Sequence, residues 1–123
     1  MLGLNRSFKN ALRGICIALK EERNLKIHLL ITFLVLILAY YFNIEKLDFI
    51  IILTMIVIVI SLELMNTAIE RTMDLINPSS NEQVGKIKDI AAGSVLITAL
   101  VAAVVGFIIF IPYIYESLSR WVK

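Results

Sequence analysis

Residues 49–76 read FIIILTMIVIVISLELMNTAIERTMDLI. The first part, Phe49 to Ile60, carries no charge; then Glu63, Asn66, Glu70 and Asp74 follow where a membrane helix should be ending. On a helical wheel with Glu63 at 0°, Asn66 falls near about −60°, Glu70 near about −20° and Asp74 near about +20°. Thr67 borders this stripe, whereas Arg71 and Thr72 lie elsewhere. Adjacent carboxylates repel, so a stripe of them calls for cations: Mg²⁺, Lys or Arg. A charged stripe is usually a solvated face. That accounts for Asp74 and for part of Glu70. It accounts poorly for Glu63, which follows directly on the apolar run and sits at the headgroup boundary. An ionisable group at that depth is by default a functional-site hypothesis.

The rest of the chain repeats the apolar theme. Of its 123 residues 59% are hydrophobic, and the mean hydropathy is +0.87. The apolar residues come in blocks: 25–44, 47–62 and 90–114. Each approaches the roughly 20 residues needed to cross a bilayer. The reading is all-α and integral-membrane, a single domain with spans over about 25–44, 47–65 and 90–114 and a cytoplasmic loop over 77–88. No cleavable signal peptide is expected, because the N-terminus opens on a polar, basic segment.

Charge sets the expected topology. Arg6, Lys9, Arg13, Lys20, Arg23 and Lys26 precede or open the first span, while the first connection holds only Lys46. The second connection holds Arg71, Lys86 and Lys88. Cytoplasmic segments are enriched in such residues. The N-terminus and the 71–89 segment are therefore placed inside and the C-terminus outside a multi-pass chain of the cell membrane. A net charge of +2 fits local contact with anionic headgroups and not nucleic acid. Cys16 is the one cysteine, which excludes an internal disulfide and a cysteine metal cluster.

Residues 7–22 read as an amphipathic surface helix. Phe8, Leu12, Ile15 and Leu19 share one face, with Lys9, Arg13 and Lys20 on another flank. Ser7 is the candidate N-cap. Glu21 projects to the polar side and Glu22 toward the apolar one. The bare residues leave Glu22 open: a charge closing the surface helix, or a carboxylate that something binds. The 43–46 turn makes the first two spans antiparallel neighbours, and Pro78 within Asn77–Asn81 stops the second helix. Asp89 is the natural anion near the third span's N-terminus. In that span Ala99/Ala103 and Ala102/Gly106 are small-xxx-small pairs that permit close helix approach.

Carboxylates at a cytoplasmic lipid–water boundary suit three tasks: holding a cation, pairing with another subunit, or acid–base and metal chemistry on a lipid headgroup. Mg²⁺ held by one or two carboxylates plus phosphates is the usual nucleotide arrangement. Lys86 and Lys88 are available to meet phosphate charge. The scattered glycines and the lack of G-x-x-x-x-G-K-[ST] or G-x-G-x-x-G exclude a soluble-type kinase loop. The lone His28 reads as interfacial.

The stretch Glu63-Leu64-Met65-Asn66-Thr67-Ala68-Ile69-Glu70, followed by Asp74, resembles the E-x-x-N-[ST]-A-[IV]-E-x-x-x-D signature of the prokaryotic diacylglycerol kinases. Lys88-Asp89 with Ala91-Ala92-Gly93 resembles the K-D-x-[AG]-[AS] motif opening that family's third helix. Ser7–Ala11 and Glu22–His28 are similar to its Gram-positive branch, which includes undecaprenol kinase. The resemblance covers nearly the whole chain. It implies a homotrimeric lipid kinase with a surface helix, three spans and sites shared between subunits, using ATP and Mg²⁺ on a membrane lipid alcohol. Carried over by position, it implies Glu63 as general base on the lipid hydroxyl and Glu22 and Glu70 as Mg²⁺ ligands. It also implies polar site roles for Asn66 and Asp74, and nucleotide contacts at Lys88 and Asp89. Asn10 is counted with the nucleotide-binding positions, although the diacylglycerol-kinase branch has Tyr there. That branch also has Ser where this chain has Ala92, and Ser79 and Asn81 replace its Glu/His loop contacts. The expected substrate is undecaprenol, with diacylglycerol the alternative. A non-catalytic cation-binding membrane protein is the rival of another class.

Overall fold

The computed structural model describes residues 2–77 and 81–121. Four helices follow one another: α1 (Leu2–Glu21), α2 (Arg23–Tyr41), α3 (Lys46–Ile76) and α4 (Glu82–Trp121). The last three are long and apolar enough to cross a membrane. At 1.5 Å per residue α3 is about 46 Å long, well beyond a hydrocarbon core of about 30 Å. Its polar second half therefore has length to spare beyond the apolar run.

The connection between α2 and α3 closes by a backbone device the sequence allows. The Ile44 N–H donates to the Ala39 carbonyl at 3.3 Å and the Asn43 N–H to that of Tyr40 at 3.1 Å. This is a Schellman motif, whose C′ residue must be left-handed. Asn43 has φ 48°, a region that asparagine tolerates better than branched residues. From α4 the Tyr113 hydroxyl binds the same corner. It accepts the Glu45 N–H at 3.0 Å and donates to Asp48 Oδ2 at 2.7 Å.

Helix α3 is the hub. It packs most extensively on α4, then on α2, and it also touches α1. The core cluster of Ala39, Ile52, Ile109 and Phe110 lies at the Tyr113 end, where Phe42 and Phe110 meet with ring centroids 6.3 Å apart. Elsewhere large apolar side chains such as Phe33, Ile97, Leu100, Phe107 and Ile108 are exposed, as befits helices whose surroundings are lipid.

Several expectations shift. The second connection is shorter than 77–88, because α4 is already helical at Glu82. Asn81 starts it, its Oδ1 accepting the Gln83 N–H at 2.9 Å. Asp89 consequently lies about two turns inside α4. Ser7 is likewise inside α1, and its hydroxyl donates back to the Gly3 carbonyl at 3.0 Å. The helical backbone runs on through both positions, so neither side chain sits at a helix end. The expected roles of Pro78 and Ser79 fall outside the described residues. The small-residue face of α4 does not close on a neighbour within the chain. A Cβ added at Gly106 would meet nothing within 4 Å. Ala99, Ala102, Ala103 and Gly106 instead line an open apolar groove of about 400 Å³ shared with α2 and α3.

Candidate functional site

The polar end of α3 gathers the site. Glu63, Asn66 and Thr67 are buried, Glu63 to 3% exposure, which is unusual for an acid. The helix period puts all three on the face that α3 turns toward its neighbours. Asn66 Nδ2 donates to Glu70 Oε1 one turn on, at 3.1 Å. Asn66 Oδ1 is buried without a partner among the described residues. A buried carbonyl oxygen of this kind costs stability unless a ligand or water satisfies it. Glu70 and Glu22 lie close enough to act electrostatically on Glu63, and so does His28. His28 reaches it from the second turn of α2, where it also lines the apolar groove.

The exposed end of the stripe is already paired. Lys88 Nζ, on α4, lies 2.8 Å from Asp74 Oδ1 and within electrostatic range of Glu70. Lys86 is occupied on its own helix, 2.6 Å from Glu82.

Glu22 sits in the break between α1 and α2. Its backbone is extended, at φ −95° and ψ 121°, and its side chain makes no capping bond to α2. Leu25, 1% exposed, anchors the start of α2 beside it. The Glu22 carboxylate is thus free to reach α3, where it accepts a hydrogen bond from Arg71 Nη2 at 2.7 Å. The same nitrogen lies 2.8 Å from Glu21 Oε2. The wheel put Arg71 off the acidic stripe, which is correct for α3 alone. Missing was the bend at Glu22 that carries Glu21 and Glu22 to Arg71. The available signal was two adjacent acids before the first span and one Arg at the polar end of the long helix.

Of the sequence-derived residues, Glu22, Glu63, Asn66, Glu70, Asp74 and Lys88 converge at this end of the bundle. Asn10 and Asp89 are exposed on α1 and α4, and neither touches the others through a hydrogen bond or ion pair among the described residues. Glu22 and Glu70 offer hard carboxylate oxygens, the donor type that Mg²⁺ takes. No group of three or more His, Cys, Asp or Glu side chains is arranged to hold a metal among the described residues. A cation held by two carboxylates completes its shell with water and phosphate oxygens, so the donor set fits one that arrives with a nucleotide.

Comparison with known proteins places the chain in a family. The chain is 38% identical over 112 residues to the undecaprenol kinase of Bacillus subtilis, covering 89% of this chain and 91% of that protein. It is 35% identical over 107 residues to a diacylglycerol kinase of Synechocystis, covering 86% of this chain and 61% of that one. A Haemophilus influenzae diacylglycerol kinase is 29% identical over 105 residues, covering 85% and 89%. The family model described as prokaryotic diacylglycerol kinase matches residues 9–110. The chain therefore belongs to the prokaryotic diacylglycerol kinase family, and it is a membrane lipid kinase that takes its phosphate from ATP.

Proposed function

We propose that the chain phosphorylates the hydroxyl of undecaprenol to give undecaprenyl phosphate. The observation that carries the site is the buried Glu63, set beside an unsatisfied Asn66 oxygen at the end of an apolar helix. The lipid follows from the 38% identity to a protein named for that substrate, over nearly its whole length. Diacylglycerol is the second reading, supported by the two relatives that carry that name.

In this mechanism the lipid alcohol approaches sideways with its tail still in the bilayer. Glu63 accepts the hydroxyl proton as the oxygen attacks the γ-phosphorus. The bond from that phosphorus to the β–γ bridging oxygen breaks, and ADP leaves. Lys88 meets phosphate charge and gives up part of its contact with Asp74. Asn66 orients Glu70 through its amide and offers its free oxygen to the incoming ligands. Glu22 and Glu70 would hold Mg²⁺, which when bound would neutralise phosphate charge. Asn10 and Asp89 complete the nucleotide contacts from α1 and α4. Phosphoryl transfer needs mainly positioning and charge neutralisation, so a sparse set of groups suffices.

A surface-lying α1 fits its exposed Phe8, Leu12 and Ile15, which would rest on lipid while Lys9 and Arg13 meet anionic headgroups. The N-terminus and the α3–α4 connection are cytoplasmic, by the distribution of basic residues. Three copies assemble, and the open small-residue face of α4 supports close approach of a neighbouring helix. Shared sites suit a chain too small to enclose ATP and a lipid alone.

The test is transfer of labelled phosphate from ATP by purified protein in mixed micelles, with undecaprenol and diacylglycerol offered in parallel. Preferred product on undecaprenol upholds the proposal. Preferred product on diacylglycerol keeps the site and replaces the substrate.

A further inference from the structure

We infer that Arg71 is a positioning residue that fixes the Glu22 carboxylate for the nucleotide-borne cation, using Glu21 as its counterweight. The inference rests on the proposed role of Glu22 as a cation ligand.

Three observations carry it. First, one guanidinium nitrogen, Nη2, contacts both acids, at 2.7 Å to Glu22 and 2.8 Å to Glu21. A hydrogen bond to each carboxylate points Nη2 along a fixed direction, which a single partner would not do. Second, the Glu22 side chain has no other hydrogen bond or ion pair among the described residues. Glu22 lies in the extended break between two helices and its side chain makes no capping bond to α2, so without Arg71 its carboxylate is free to turn toward water. Third, the contact is poorly placed to serve stability. The Arg71, Glu22 and Glu21 side chains are 39%, 28% and 60% exposed, and ion pairs open to solvent to this degree are worth little. What the clamp does secure is geometry, since it joins the α1–α2 corner to α3 one helical position beyond Glu70. Only one Glu22 oxygen faces Arg71, so the other is left to a cation.

The charge balance points the same way. Glu21, Glu22, Glu63, Glu70 and Asp74 cluster around α3, and among the described residues Arg71 and Lys88 are the cations that pair with them. Removing Arg71 leaves Glu22 facing like charge from Glu63 with nothing to hold it there. Residues that orient a metal ligand typically contribute about 10–100-fold to metal affinity.

The experiment compares wild type with Arg71→Gln, Arg71→Lys, Glu21→Gln and Glu22→Gln in micelles. Binding of Mn²⁺ with a non-hydrolysable ATP analogue is followed by electron paramagnetic resonance, and the Mg²⁺ dependence of lipid phosphorylation is measured beside it. Arg71→Gln is expected to weaken Mn²⁺ binding by about tenfold or more and to raise the half-saturating Mg²⁺ concentration correspondingly. Excess Mg²⁺ should restore kcat to within about twofold. Arg71→Lys should recover part of the loss, and Glu21→Gln should show a smaller one. Unchanged Mn²⁺ binding in Arg71→Gln with a clear loss in Glu22→Gln overturns the role of Arg71 alone. Unchanged binding in Glu22→Gln overturns the reading of Glu22 and this inference with it. Tighter binding in Arg71→Gln also overturns it, because Arg71 would then compete with the cation. If Arg71→Gln does not fold, Arg71→Lys and Glu21→Gln decide by the same readouts.

Discussion

Replacing Glu63 by Gln tests the centre of the mechanism. The substitution keeps the side chain's shape in a site that is only 3% exposed, so no cavity forms. It removes a charge that stands near two others of like sign, Glu70 and Glu22. Burying a carboxylate beside others of like sign is costly, and His28 offsets that only in part, so the variant should fold at least as well as wild type. Its thermal midpoint in detergent should stay level or rise. Catalysis should move the other way. A general base contributes about 10²–10⁴ in rate, or about 3–5 kcal/mol of barrier at 1.36 kcal/mol per decade. Initial rates of phosphate transfer at saturating ATP and lipid would report it, normalised to protein that elutes in the wild-type peak. A rate within about twofold of wild type would refute the assignment, since an amide cannot accept the hydroxyl proton at neutral pH. A rate lowered about 10²-fold or more with an unshifted KM for ATP would assign the loss to the chemical step and not to nucleotide binding.

Two further outcomes follow from other contacts. Lys88→Ala breaks the 2.8 Å contact to Asp74; an exposed pair costs only about 0.2–1 kcal/mol, so thermal stability should barely move. The KM for ATP should rise about tenfold or more, because a hydrogen bond to a charged group is worth about 1.5–3 kcal/mol; an unchanged KM would favour a cation-binding stripe that needs no phosphate partner. Tyr113→Phe removes the hydroxyl that ties the Glu45 N–H and Asp48 to α4, and should lower stability by about 1–3 kcal/mol in denaturant titration. Asp48 and Glu63 are about 22 Å apart along α3, so the rate per folded molecule should stay within about twofold, and a larger loss would mean the two ends are coupled.

Much of the architecture was legible without coordinates because lipid is a severe solvent. Every backbone polar group must be satisfied within a spanning segment, so long apolar blocks become helices. The blocks over 25–44, 47–62 and 90–114 foretell α2, α3 and α4. The stripe from Glu63 to Asp74 was equally legible, since helix periodicity alone puts those residues on one face. Less was visible at the helix ends. Ser7 and Asp89 read as terminal residues because their side chains suit caps, yet neighbouring backbone hydrogen bonds carried both helices past them. The family resemblance singled out Glu63 and Glu70 by the signature and Glu22 by the N-terminal segment, whereas Arg71 belongs to no stripe on its own helix.

Periodicity within one segment depends only on that segment, so the sequence by itself determined the number of apolar helices, the acidic face and its place at the end of a span. Contacts between segments depend on how a chain bends between them. The extended backbone at Glu22 turns Glu21 and Glu22 onto Arg71, which lies 49 residues beyond Glu22. Packing of α4 on α3 sets Lys88 against Asp74, and burial leaves the Asn66 oxygen without a partner among the described residues. These the tertiary structure alone decided, because no local rule fixes which charge a helix meets across a turn.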